Sequence, residues 1–129
     1  MEDCIFCKIA KGEIPSHRVY EDENFVAFLD INPETPGHCQ VIPKKHYRWV
    51  WDVPNGGEYF EVVRKIALAQ RKAFDTDFVL SRIVGDEVSH AHIWVFPGYM
   101  GGSPTSQSFG GASKKDFEAN ATKIRENLD

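Results

Sequence analysis

The sequence predicts an α+β domain built on an antiparallel sheet, and two observations carry that expectation. Short runs rich in β-branched and aromatic residues come in pairs separated by polar turns, and one long amphipathic stretch is inserted between the pairs. A chain of 129 residues also fits a single domain, 1–129, large enough to bury a core without staples.

The elements follow in order. The N-terminal segment holds Cys4-Ile-Phe-Cys7 and ends in a turn, Gly12-Glu-Ile-Pro15. Arg18–Glu21 and Asn24–Asp30 read as a hairpin joined by the polar pair Asp22-Glu23. A loop over Asn32-Pro-Glu-Thr-Pro-Gly37 precedes a third strand, His38–Lys44, with Pro43 near its end where a lost N–H matters least. Pro54-Asn-Gly-Gly57 breaks the chain before a helix from about Glu58 to Phe74, in which Phe60, Val63, Ile66, Ala67 and Phe74 share one apolar stripe. Asp77–Val84 and Ser89–Phe96 are two further strands turned by Gly85-Asp86. Residues 98–112 are rich in Gly and Ser and read as a loop; Ser113 then caps a last helix through Leu128, with Asp116 favouring its N-terminal end.

Bulk properties exclude several function classes. Net charge is −4, which offers no basic footprint for nucleic acid or an anionic membrane. There is no apolar run near 18 residues and no N-terminal apolar leader, so neither a membrane span nor secretion is expected. Three cysteines, two of them at metal spacing, argue against a disulfide framework and for a reducing cytoplasm.

The chemistry concentrates in Val88-Ser-His-Ala-His-Ile-Trp-Val-Phe-Pro97. On a strand, residues i and i+2 share a face, so His90 and His92 enter one site. Two Cys with two His form a common structural zinc set, and Cys4, Cys7, His46 and His90 supply it here. Reduced thiols with no metal are the other reading of Cys4 and Cys7, and His46 beside Lys44-Lys45 also reads as a surface histidine. Cys39, within a strand, reads as core. A four-ligand zinc has no open position, so the chemistry would fall to His92. Zinc-bound His90 would keep that imidazole neutral and nucleophilic. A hydrogen-bonded core histidine is the plainer alternative for His92.

Taken in order, Cys4-Ile-Phe-Cys7-Lys-Ile, Gly12-Glu-Ile-Pro15, Phe28-Leu-Asp-Ile31, Pro36-Gly-His38, Val41-Ile-Pro-Lys-Lys-His46 and His90-Ala-His92-Ile resemble the histidine-triad (HIT) family of nucleotide-binding proteins and hydrolases, over residues 1–97. The resemblance implies a five-stranded antiparallel sheet with one long helix and a C-terminal helix, usually as a homodimer. It implies cleavage or transfer of a nucleoside monophosphate from an α-phosphate conjugate through a nucleotidyl-histidine on His92. It also implies structural Zn²⁺ on Cys4, Cys7, His46 and His90. By the same resemblance Asp30 accepts the ribose hydroxyls, Ile14, Phe28 and Ile31 form the base pocket, and His38 flanks the nucleophile. Independently, a carboxylate is acceptor-only and suits a cis-diol, whereas flat apolar walls accept any base. Ordinary core is the other reading of the three apolar residues, and a turn residue that of Asp30.

The chain departs from the family pattern in two places. Trp94 stands where the third histidine of the triad belongs, and an indole donates one hydrogen bond but neither titrates nor accepts. Gly85-Asp86-Glu87 replaces a neutral polar stretch that faces the phosphates, so Glu87 either repels substrate, holds Mg²⁺, or belongs with Asp86 to a solvated turn. A nucleotide-binding regulatory module with little or no turnover is therefore the alternative to the enzyme.

Overall fold

The computed structural model describes residues 3–99 and 108–129. Helix α1 spans Ile5–Ala10, followed by strands β1 (Arg18–Glu21), β2 (Phe25–Leu29) and β3 (Cys39–Pro43). Helix α2 runs over Gly56–Ala73, strands β4 and β5 over Val79–Arg82 and Ile93–Pro97, and helix α3 over Phe117–Glu126. The five strands form one antiparallel sheet in the order β1-β2-β3-β5-β4. The fold is α+β, as the pairing of strands around one helix predicts.

Both faces of the sheet are covered, which explains why β2 and β3 are buried throughout. One face sends Phe25, Ala27, Leu29, Cys39, Val41, Ile93 and Val95 into the main core against Tyr59, Val62 and Ile66 of α2 and Ile124 of α3. The opposite face packs Val26, Phe28 and Ile42 against Phe6 and Ile9 of α1. Fully burying a side chain of this size contributes about 1.5–3 kcal/mol. Gln70, fully buried on α2, donates its amide to the carbonyls of Gly37 and Val95 at 2.9 and 3.0 Å. That bridge ties α2 to β5 and to the loop that enters β3. Gly37 itself holds φ +81°, and a Cβ there would lie 2.2 Å from the Phe74 ring, so only glycine lets the chain enter β3 this close to α2.

Several boundaries differ from the sequence expectation. The Cys pair lies on a short helix, where a turn was the only structure expected before Pro15. Helix α2 starts earlier, and its buried stripe runs through Tyr59, Val62, Val63, Ile66 and Ala69; Phe60 is 44% exposed. Strand β5 starts at Ile93 and not at Ser89, because the Ala91 amide bonds the Tyr47 carbonyl at 2.7 Å instead of a ladder partner. Residues 83–92 thus form a long connection in place of a two-residue turn. The last helix begins at Phe117, with Asp116 at the N-cap; Ser113 offers its carbonyl, not its hydroxyl, to Asp116 and Asn120. Of the 98–112 loop, residues 100–107 lie outside the described residues, and Ser108–Gly111 make a kinked turn in which Phe109 and Gly110 hold φ of 59° and 65°. Among the described residues no helix is long and apolar enough to cross a membrane.

Candidate active site and metal centre

Local folding at α1 brings together side chains that could hold a metal. Cys4 is its N-cap and its sulfur accepts the Cys7 amide at 3.3 Å, so the x2 spacing places both sulfurs on the first helical turn. The Ala91–Tyr47 backbone bond draws the loop after β3 against the segment before β5, bringing His46 beside His90. Their rings stand 4.9 Å apart and nearly perpendicular. Cys7 Sγ lies 3.3 Å from His46 Nδ1 and 3.4 Å from His90 Nδ1, and Cys4 Sγ lies 3.3 Å from His90 Nδ1. All four ligand atoms fall within 4.8 Å of one another. Zinc bonds of about 2.3 Å to sulfur and about 2.0–2.1 Å to nitrogen put tetrahedral S···N pairs about 3.6 Å apart, so the donor set fits zinc.

The orientation of His90 supports the same fit. Its Nε2 meets the Pro43 carbonyl at 2.8 Å. A carbonyl only accepts, so Nε2 carries the proton and Nδ1 presents its lone pair to the sulfurs, the outer-shell arrangement usual for a metal-bound histidine. Burial, then the neighbouring His46 and His92, push the His90 pKa down to about 4. Burial and the Cys4 side chain push the Cys7 thiol up to about 11, so a metal would have to displace its proton at neutral pH.

His92 follows two residues later, 2% exposed. Its Nδ1 lies 2.7 Å from the His90 carbonyl oxygen, which requires Nδ1–H and leaves Nε2 with the lone pair. The Phe6 ring touches both imidazoles edge-on, at centroid distances of 6.0 Å to His90 and 5.4 Å to His92. Both rings therefore face α1, as the i, i+2 spacing predicts, although neither residue lies within β5.

Beside them opens a cavity of about 420 Å³. Its walls include Phe6, Ile14, Phe28, Ile31, Asp30, Gln40 and Glu87. Four of the apolar and acidic residues expected in the nucleotide pocket, Ile14, Phe28, Asp30 and Ile31, are thus brought together. Phe28 is also core, whereas Ile31 is 72% exposed at the rim. Asp30 is oriented on both oxygens: Oδ1 accepts the Asn32 amide and Oδ2 accepts Gln40 Nε2, each at 2.8 Å. His38, His92 and Trp94 do not line this cavity. His38 lies 3.7 Å from Asp30 Oδ2 and its ring stands 4.9 Å from that of Trp94.

A HIT domain model matches residues 11–101. The chain belongs to the HIT family. It is 42% identical to an uncharacterised HIT-like protein of Methanocaldococcus jannaschii over 76% of this chain and 81% of that protein. It is 41% identical to an adenosine 5′-monophosphoramidase of Saccharomyces cerevisiae over 73% of this chain and 61% of that enzyme. A HIT-like protein from Bartonella henselae superposes with TM-score 0.84 at 36% identity, covering 99% of this chain and 98% of the other. A zinc-bound histidine triad family protein from Mycobacterium smegmatis superposes with TM-score 0.81 at 32% identity, covering 98% and 94%.

Two residues of this HIT site escape a reading by motif. Gln40 orients Asp30, and Phe6 spaces the two histidines. A polar residue of the same parity as His38, inside the otherwise apolar His38–Lys44 run, was the available signal for Gln40. Asp86 and Glu87 are exposed, and among the described residues the metal-capable cluster includes neither.

The buried imidazoles set a pH dependence. Burial also lowers the His38 pKa from its ordinary value near 6.5. The unfolded chain binds protons at both positions below about 6.5 that the folded HIT domain refuses until lower pH. Stability is therefore full above pH 6.5 and falls as the pH drops toward 4. Urea midpoints at pH 7.5 and pH 5 check this, with the lower midpoint expected at pH 5.

Proposed function

We propose that this protein is a nucleotidyl hydrolase or transferase acting through His92, in one domain over residues 1–129. The observation that carries the reading is the fixed tautomer of His92, its Nδ1–H held by the His90 carbonyl beside a cavity bearing Asp30. In this reading the Nε2 lone pair attacks the α-phosphorus. The N–P bond forms as the bond to the leaving group breaks, and that group departs with its electron pair. The imidazolium so formed keeps its Nδ1 proton against the His90 carbonyl. Water then attacks phosphorus, the N–P bond breaks, neutral imidazole returns and the proton of water passes to solvent. A phosphate acceptor in place of water gives transfer.

Asp30 takes the ribose hydroxyls, Ile14, Phe28 and Ile31 hold the base, His38 flanks the site, and Trp94 and Glu87 face the phosphates. Cys4, Cys7, His46 and His90 hold zinc, whose chemistry is structural: it ties α1 to the segment that presents the His90 carbonyl to His92. The kinship with a monophosphoramidase and with a zinc-bound relative supports both parts. A homodimer and a cytoplasmic location belong to the same reading.

Asp30→Asn is expected to weaken AMP binding by about tenfold or more, the scale of a charge-assisted hydrogen bond; calorimetric titration measures it. The assay of the activity itself is AMP release from an aryl ester of AMP. A second reading, nucleotide binding without turnover, is favoured by Trp94 and by Glu87 on the cavity wall. Tight AMP binding with no release would select it.

A further inference from the structure

The four metal-capable side chains do not meet solvent equally. A second cavity, of about 490 Å³, opens beside them, and its walls include Cys4, His46, Glu87 and Ser89 but neither Cys7 nor His90. Cys4 is partly exposed, whereas Cys7 is buried. One sulfur is thus open to a small solute, and the other stands behind it. The two sulfurs lie within 4.8 Å of each other, and the Cys7 amide donates to Cys4 Sγ at 3.3 Å. An N-cap and the third residue of its helix are one turn apart, close enough for side-chain rotation to join two cysteines. Cys39 takes no part in the cluster: it is fully buried in β3, where its thiol donates to the Gly37 carbonyl at 3.3 Å.

We propose that Cys4 and Cys7 form a peroxide-sensitive clasp: a hydroperoxide entering the second cavity oxidises the pair to a disulfide, which releases zinc and switches off the site at His92. The inference rests on the zinc reading of the cluster and, for its effect on turnover, on the nucleotidyl-transfer reading of His92. Zinc-bound cysteines are thiolates, the nucleophilic form. The Cys4 thiolate attacks hydrogen peroxide, the O–O bond breaks, and Cys4 becomes a sulfenic acid as hydroxide leaves. The Cys7 thiolate then attacks the Cys4 sulfur. The S–S bond forms, the S–O bond breaks, and a second hydroxide leaves with the electron pair. Two protons from solvent turn both hydroxides into water, so the sulfurs lose two electrons and the peroxide gains them. A disulfide offers no thiolate, and two histidines alone hold zinc poorly, so the cluster lets the ion go.

The cavity favours a small uncharged oxidant. Asp3 and Glu87 place two carboxylates on its wall, which repel anions but not hydrogen peroxide. The consequence reaches His92 through His90, whose ring nitrogen faces both sulfurs while its backbone carbonyl accepts the His92 Nδ1 proton. Helix α1 stays docked meanwhile, because Phe6 and Ile9 pack on Val26, Phe28 and Ile42. The change is therefore local, and a dithiol reductant with zinc reverses it. In a reducing compartment a disulfide of this kind is transient, as a sensor requires.

The test treats zinc-loaded protein with hydrogen peroxide and follows free zinc with a chelating dye, remaining thiols, disulfides by peptide mapping, and AMP release from an activated adenylate. The wild type should release its zinc, keep the Cys39 thiol and yield a Cys4–Cys7 disulfide, with AMP release falling in step. Dithiothreitol and zinc should then restore all four readouts. Cys4→His keeps a fourth metal donor but removes the reacting sulfur, and its zinc should leave at least about tenfold more slowly. Zinc retained by the wild type under peroxide, zinc released without a Cys4–Cys7 disulfide, or release from Cys4→His at the wild-type rate would overturn the proposal. Full zinc release with unchanged AMP release would overturn the coupling to His92. Reduced protein that binds no zinc would remove the metal reading and the clasp with it. No AMP release before oxidation would instead remove the nucleotidyl-transfer reading, and the zinc and thiol readouts would still decide the clasp.

Discussion

Replacing His92 with glycine is expected to lower AMP release from an activated adenylate by at least about 10⁴-fold, the scale on which losing a covalent nucleophile acts. The effect should fall on kcat, because the cavity walls and Asp30 remain. His92 is buried and packs on Phe6, so its loss also leaves space beside α1. Free imidazole added to the glycine variant should diffuse into that space and restore part of the rate. Asp30→Asn offers the opposite pattern, a loss in KM larger than the loss in kcat. Steady-state kinetics on the two variants separates a reacting group from a binding group.

Loss of the proposed zinc is expected to have the second-largest effect, on stability first and activity second. A ligand bound only by the folded state stabilises it by about 4 kcal/mol at a thousand times its dissociation constant. For a domain of this size that is on the order of 10–20 °C in melting temperature. Treatment with a zinc chelator should produce a shift of this order, and Cys7→Ser should reproduce it while abolishing the further response to chelator. Activity should follow, because His90 serves two sites. Its Nδ1 faces the sulfurs of Cys4 and Cys7, and its carbonyl accepts the Nδ1 proton of His92, the proposed nucleophile. Zinc content by elemental analysis, measured alongside the melt, connects the two effects. An unchanged melt with zinc fully removed would contradict a structural role.

Most of the architecture is legible because it follows from local alternation and turn chemistry. The hairpin of β1 and β2, strand β3 and helix α2 all stand where apolar period and breakers place them. The errors have physical causes. Phe60 stands at helical spacing from Val63 and Ala67 and so reads as buried, yet the buried stripe passes through the neighbouring Tyr59, whose hydroxyl donates to the Val41 carbonyl at 2.7 Å. Strand β5 begins late because tertiary pairing with Tyr47 takes the Ala91 amide out of the ladder, a contact between residues 44 positions apart in sequence (91 − 47). Helix α1 has six residues, too few for a periodic signal, and its start is marked only by the sulfur of Cys4 acting as N-cap. The grouping of the candidate side chains was more legible than these boundaries. Side chains of His90 and His92 share a face whether or not the ladder has begun, and the Cys-x2-Cys spacing closes on one helical turn just as it would on a loop.

Intermediate trapping tests the central claim most directly. Protein mixed with an activated adenylate, quenched within milliseconds and digested, is expected to yield one peptide carrying an acid-labile adenylyl group on His92. The same treatment of His92→Gly should yield none. An adenylyl group on another residue, or AMP release by the wild type with no adduct at any time point, would contradict covalent catalysis by His92.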